Sequence, residues 1–133
     1  MRDIKTILSE SKTIVVFGLS AKTERASHTV AQYLLRAGYT IIPVNPGQTE
    51  ILGQKCYKSL EEIPGDIQVD IVDVFRKSED TPPIAKAAVA IGAKCLWLQL
   101  GIENKESLAI ARDAGLDYVE DKCIKIEHSN ANL

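Results

Sequence analysis

The residues best suited to chemistry are gathered in one stretch, Gly18-Leu19-Ser20-Ala21-Lys22-Thr23-Glu24-Arg25-Ala26-Ser27-His28. It follows the apolar run Thr13-Ile14-Val15-Val16-Phe17 and ends where a helical pattern begins. Glycine permits a tight turn and lets a ligand approach the backbone closely. The unpaired N–H groups of a helix start favour an anion. Ser20 and Ser27 add hydroxyls, and Lys22 and Arg25 add two positive charges. Such a set suits a phosphate, which takes up N–H, O–H and cationic donors together.

Elsewhere the sequence offers no catalytic set. His28 falls in the first turn of the helix, placed either to donate to a phosphate or to pack, and His128 lies in a terminal segment read as a tail. No G-x-S-x-G elbow is present to motivate a serine triad. The pairs Glu61-Glu62 and Glu79-Asp80 stand at helix starts, where they complement the helix dipole. Arg76, directly after Phe75, is a second candidate for phosphate, whereas Trp97 sits in an apolar run and is expected in the core. The three cysteines make no CxxC pair, and an odd number completes neither a disulfide framework nor a zinc site. Cys95 reads as a core thiol. Cys56 and Cys123, nearer strand ends, are expected to be partly exposed and placed to exchange with a thiol ligand.

The elements that must position these groups alternate regularly. Strands are expected at Thr13–Gly18, Thr40–Val44, Val69–Phe75, Lys94–Gln99 and Asp117–Glu120. Helices are expected at Ala26–Ala37, Ser78–Ile91 and Asn104–Ala114, with a weaker lead-in helix at Asp3–Ser9. Runs that are apolar on both faces suit central parallel strands. Pro43, lacking an N–H, places the second strand near an edge or a strand end. Ser59-Leu60-Glu61-Glu62 fits a capping box, and Asn45–Gly53 reads as turns. The reading is one α/β domain over residues 1–133: a three-layer Rossmann-like fold, its mostly parallel sheet of about five strands covered by helices on both faces. Ligands of such sheets bind beyond the carboxyl ends of the strands.

A net charge of -2 argues against a general nucleic-acid binder. No run approaches the roughly 20 apolar residues of a membrane span, and the opening Met1-Arg2-Asp3-Ile4-Lys5 lacks the apolar core of a signal peptide, so the cytoplasm is the expected compartment. The loop is not a dinucleotide fingerprint, since G-x-G-x-x-G would need glycine at Ser20 and Thr23. Nor does the second strand end on the acidic residue that a ribose would want; it ends on Val44-Asn45-Pro46-Gly47.

The whole pattern resembles the small stand-alone coenzyme A-binding domain proteins of bacteria and archaea, which are similar in turn to the N-terminal domain of the succinyl-CoA synthetase alpha subunit. The resemblance is carried by Val16-Phe17-Gly18-Leu19-Ser20 with Arg25, Ile42-Pro43-Val44-Asn45-Pro46, Ile51-Leu52-Gly53, Val72-Asp73-Val74-Phe75-Arg76, Trp97-Leu98-Gln99-Leu100-Gly101 and Cys123-Ile124-Lys125-Ile126-Glu127-His128. It implies that Gly18, Leu19 and Ser20 hold the coenzyme's phosphates with Arg25 close by, and that Val44, Asn45 and Pro46 line the adenosine portion. It further implies that Phe75 and Arg76 cover the ligand, and that Leu98, Gln99 and Leu100 meet the pantetheine arm. Where the synthetase subunit has a lysine after its second strand, this chain has Gln48. The function so implied is non-catalytic binding of coenzyme A or an acyl-CoA, in a monomer or homodimer that works alone or with a protein partner. The alternative is a small NAD(P)-dependent oxidoreductase or an accessory subunit of an acyl-CoA ligase.

Overall fold

The computed structural model describes residues 1–133. A five-stranded parallel sheet is built from β1 (Thr13–Phe17), β2 (Thr40–Val44), β5 (Ile71–Val74), β6 (Cys95–Leu98) and β7 (Asp117–Val119). The order is β2-β1-β5-β6-β7, so β2 with its Pro43 does lie at an edge. The chain reverses direction across the sheet between β1 and β5. That reversal opens a crevice at their carboxyl ends, the place where open α/β sheets bind ligands.

Helices cover both faces. Alternation along each strand sends Ile14, Val16, Ile71, Cys95 and Trp97 toward α1 (Ile4–Glu10), α2 (Ala26–Arg36) and α5 (Ile124–Asn130). Val15, Val72, Val74, Leu96 and Leu98 face α3 (Thr81–Ala90) and α4 (Lys105–Asp113). Trp97 is fully buried, as expected of a core residue, and its Nε1 donates to the Lys122 carbonyl at 2.8 Å. Asp70 closes the opposite end of the sheet: its Oδ2 accepts from the Lys12 and Thr13 amides at 2.8 and 3.0 Å.

Three local expectations are corrected. Residues 124–130 form the helix α5 rather than a tail, and His128 binds it to α2 through Tyr33 Oη at 2.8 Å from its Nδ1. The turn-rich stretch contains a small antiparallel hairpin of β3 (Glu50–Ile51) and β4 (Gln54–Lys55). The capping box does not form: Ser59 makes no side-chain cap, and Glu62 accepts instead from the Lys58 amide at 2.9 Å.

Candidate functional site

A cleft of about 430 Å³ opens at the crevice, lined by Gly18, Ser20, Lys22, Arg25, Ala26, Ser27, Asn45, Phe75 and Arg76. Three segments, after β1, β2 and β5, thus converge on one volume. Two roomier hollows, of about 510 and 760 Å³, lie near Asp117 and Thr40, at the amino ends of the strands, away from this chemistry.

The loop after β1 is held open by its own side chains. Gly18 has φ 88°, a conformation that L side chains resist. Its N–H donates to the Val44 carbonyl at 2.8 Å, which binds the loop to β2. Ser27 Oγ accepts from the Ser20 amide at 3.0 Å, and Ser20 Oγ accepts from the Lys22 amide at 3.1 Å. Both serines therefore brace the loop as acceptors, and each keeps its O–H as a donor. Asn45 Nδ2 donates to the Leu19 carbonyl at 2.9 Å, while its Oδ1 accepts from the Gly47 amide at 2.8 Å. The first-turn amides of Ala26 and Ser27 take no part in any hydrogen bond, as expected at a helix start.

The cleft is cationic. Lys22 and Arg25 are exposed and enter no ion pair; the chain's three pairs are Arg2–Glu10, Arg2–Asp117 and Lys94–Asp70. Arg76 folds back instead, with Nη1 3.3 Å from the Phe75 carbonyl and its guanidinium 5.5 Å from the centre of the Phe17 ring. Three cations without a carboxylate partner in a chain of net charge -2 focus positive potential at one place.

Not every expected contact residue reaches this cleft. Leu19, Val44 and Leu98 are fully buried, because strand and turn alternation sends them into the core, so only their backbone atoms face the edge. Pro46 and Gln48 are exposed beyond the cleft. Gln99 is buried at the end of β6, where its Oε1 accepts from the Ile124 amide at 3.0 Å and fixes the start of α5. Leu100 is 65% exposed on the same edge, a bare apolar surface beside the polar cleft. His28 is buried at the helix start and does not line the cleft.

The thiols also separate. Cys95 is buried as expected, and burial pushes it up, with the Asp117 carboxylate adding to the effect. Cys56 is buried too, against expectation, because the β3–β4 hairpin leads its Sγ to 3.5 Å from the Asn45 carbonyl, and burial raises its pKa. Cys123 alone is partly exposed. A maleimide reagent on the native protein should label one site per chain, at Cys123, within minutes; peptide mapping that finds Cys56 labelled equally fast would contradict this packing.

Sequence reading missed the state of Asp73. Its side chain shares a face with Val16 and Trp97, is fully buried, and has no hydrogen-bond partner on either oxygen. Burial pushes its carboxyl well above the usual carboxylate range. Such a group favours folding below the unfolded-state value near pH 4 and loses that contribution as pH rises toward the folded-state value. The neutral variant Asp73→Asn should therefore melt close to the wild type near pH 3.5 and progressively above it from pH 4 to 7. Parallel melting curves across that range would show instead that the carboxyl is not held protonated.

The fold and sequence match known proteins over nearly all of the chain. A hypothetical protein of Pyrococcus horikoshii OT3 superposes with a TM-score of 0.92 at 40% identity, covering 97% of this chain and 89% of its own. The uncharacterized protein YneT of Bacillus subtilis is 44% identical over 127 residues, 96% of this chain and 93% of its own length. The alpha subunit of an ADP-forming acetate–CoA ligase from Pyrococcus furiosus is 29% identical over 129 residues, and there the chain spans only 28% of the relative's length. Residues 12–129 match the model of the CoA binding domain, and the chain belongs to that family.

Proposed function

We propose that the chain binds coenzyme A or an acyl-CoA in the cleft at Gly18 and acts as a binding or regulatory module without catalysis of its own. The observation that carries this reading is the convergence of Gly18, Ser20, Lys22, Arg25 and Arg76 on one cleft at the strand-order reversal. Free amides, hydroxyl donors and unpaired cations suit a diphosphate. The exposed Leu100 further along the same edge suits an apolar arm leading away from it. Family membership supports the coenzyme over other phosphate ligands. The cleft brings together no nucleophile with a base, which supports binding over turnover; Ser20 and Ser27 pair with backbone amides and with each other's loop, not with a histidine.

Coenzyme A should raise the melting temperature, by about 2.7 kcal/mol of stabilisation at a hundredfold excess over its dissociation constant, and NAD or ATP should not. A shift with NAD alone would overturn the assignment. Arg25→Ala should weaken coenzyme binding about tenfold through loss of one charge-assisted contact. Its melting temperature without ligand should stay within about 2 °C, since Arg25 is exposed and caps α2 without a side-chain hydrogen bond. Titration of the variant with an unchanged affinity would remove Arg25 from the site.

A further inference from the structure

Asp73 is the one side chain whose buried polar atoms find no partner in the fold. Its position asks for none: its in-register neighbours, Val16 and Trp97, are apolar, and a central parallel strand covered on both faces is ordinarily filled by valine or isoleucine. An unsatisfied buried carboxyl weakens the fold that carries it. The reason for it is therefore sought in the site.

Asp73 stands two residues before Phe75, and its partner Val16 stands two residues before Gly18. It lies one pleat beneath both loops of the cleft, on the face that Phe75 and Gly18 share. Those loops are in tight contact: a Cβ on Gly18 would overlap both the Phe75 carbonyl oxygen and Arg76 Nη1. A phosphate in the cleft would compete with the Phe75 carbonyl for the Arg76 guanidinium, which stands 3.3 Å from that oxygen at the peptide following β5. The amides of Leu19 and Arg76, one on each loop, take part in no hydrogen bond.

We propose that Asp73 is a positioning residue of the phosphate cleft, its side-chain oxygen accepting from the Leu19 or Arg76 amide in the ligand-bound arrangement and so fixing the spacing of the two loops. The proposal rests on the coenzyme reading of the cleft. On this view the side chain opposes folding and favours binding, and the two effects separate by substitution. Asp73→Asn keeps an acceptor oxygen, and Asp73→Val removes it in a shape that a strand accepts.

The experiment is calorimetric titration of coenzyme A into the full chain, with a melting curve of each protein without ligand at pH 7. Asp73→Asn should bind within about threefold of the wild type, and Asp73→Val about tenfold more weakly. Neither should melt below the wild type. Tight binding by Asp73→Val, or a loss in Asp73→Asn as large as that in Asp73→Val, would overturn the proposal. Asp73→Ala, which adds no volume, controls for overpacking by valine. If both it and Asp73→Val melt several degrees lower, the carboxyl is structural and the proposal fails. A wild type that gives no heat with coenzyme A would remove the reading of the cleft along with it, whereas normal binding by Asp73→Val removes this inference alone.

Discussion

Gly18→Ala is expected to lower the melting temperature by about 6 °C or more and to bring coenzyme binding below detection. Two independent costs add. The backbone at Gly18 has φ 88°, where an L side chain is strained by about 1–2 kcal/mol. The added methyl would also meet the Phe75 carbonyl and the Arg76 guanidinium, and the carbonyl belongs to the turn leaving β5 and cannot swing aside as a long side chain can. The least costly relief is to push the Phe75–Arg76 turn outward, which withdraws two lining residues from the cleft. Differential scanning calorimetry reads the first effect and coenzyme titration the second. A variant that melts normally and binds normally would mean that the two loops are not in contact in solution.

Trp97→Ala should be the most destabilising single substitution on the sheet, at about 3–5 kcal/mol, or 10 °C or more in melting temperature. Trp97 is the largest fully buried side chain and stands between Asp73 on β5 and Val119 on β7. Its indole also holds the chain leading into α5 through the Lys122 carbonyl. Trp97→Phe separates the two roles, because it keeps most of the volume and removes the N–H donor. It should cost about 1 kcal/mol or a little more, with hydrogen exchange accelerated in α5 and not in α3 or α4. Uniform acceleration in all three helices would show that the hydrogen bond does not act locally.

How much of this was legible in the sequence follows from which forces fix each part. The strands β1 and β6 are apolar on both faces because helices cover both, which marks them as central and parallel, whereas β5 interrupts that pattern with Asp73. Pro43 correctly marks β2 as an edge. Helix α5 escaped because among its seven residues only Ile124 is buried. Its stability comes from contacts distant in sequence: Gln99 Oε1 at its first amide, and Tyr33 against His128. The β3–β4 hairpin escaped because its turn is Leu52-Gly53, both with positive φ, and leucine is not a residue that announces such a turn.

At the cleft, residue types were informative and directions were not. Gly18, Ser20, Lys22, Arg25, Ser27, Asn45, Phe75 and Arg76 do share one volume. Leu19, Val44 and Leu98 carry their side chains into the core, since neighbours along a strand or turn point opposite ways. Asp73 reads in the sequence as one more aspartate of a strand. Only the three-dimensional packing reveals that nothing around it satisfies its carboxyl.

The most direct test of the central claim is isothermal titration of coenzyme A into the purified wild-type protein, repeated with NAD at the same concentrations. Saturable binding of one coenzyme A per chain is predicted, weakening as salt is raised because the cleft's cations meet the phosphates. No heat from NAD is expected. Absence of binding by coenzyme A, or saturation by NAD in its place, would contradict the assignment of the Gly18 cleft.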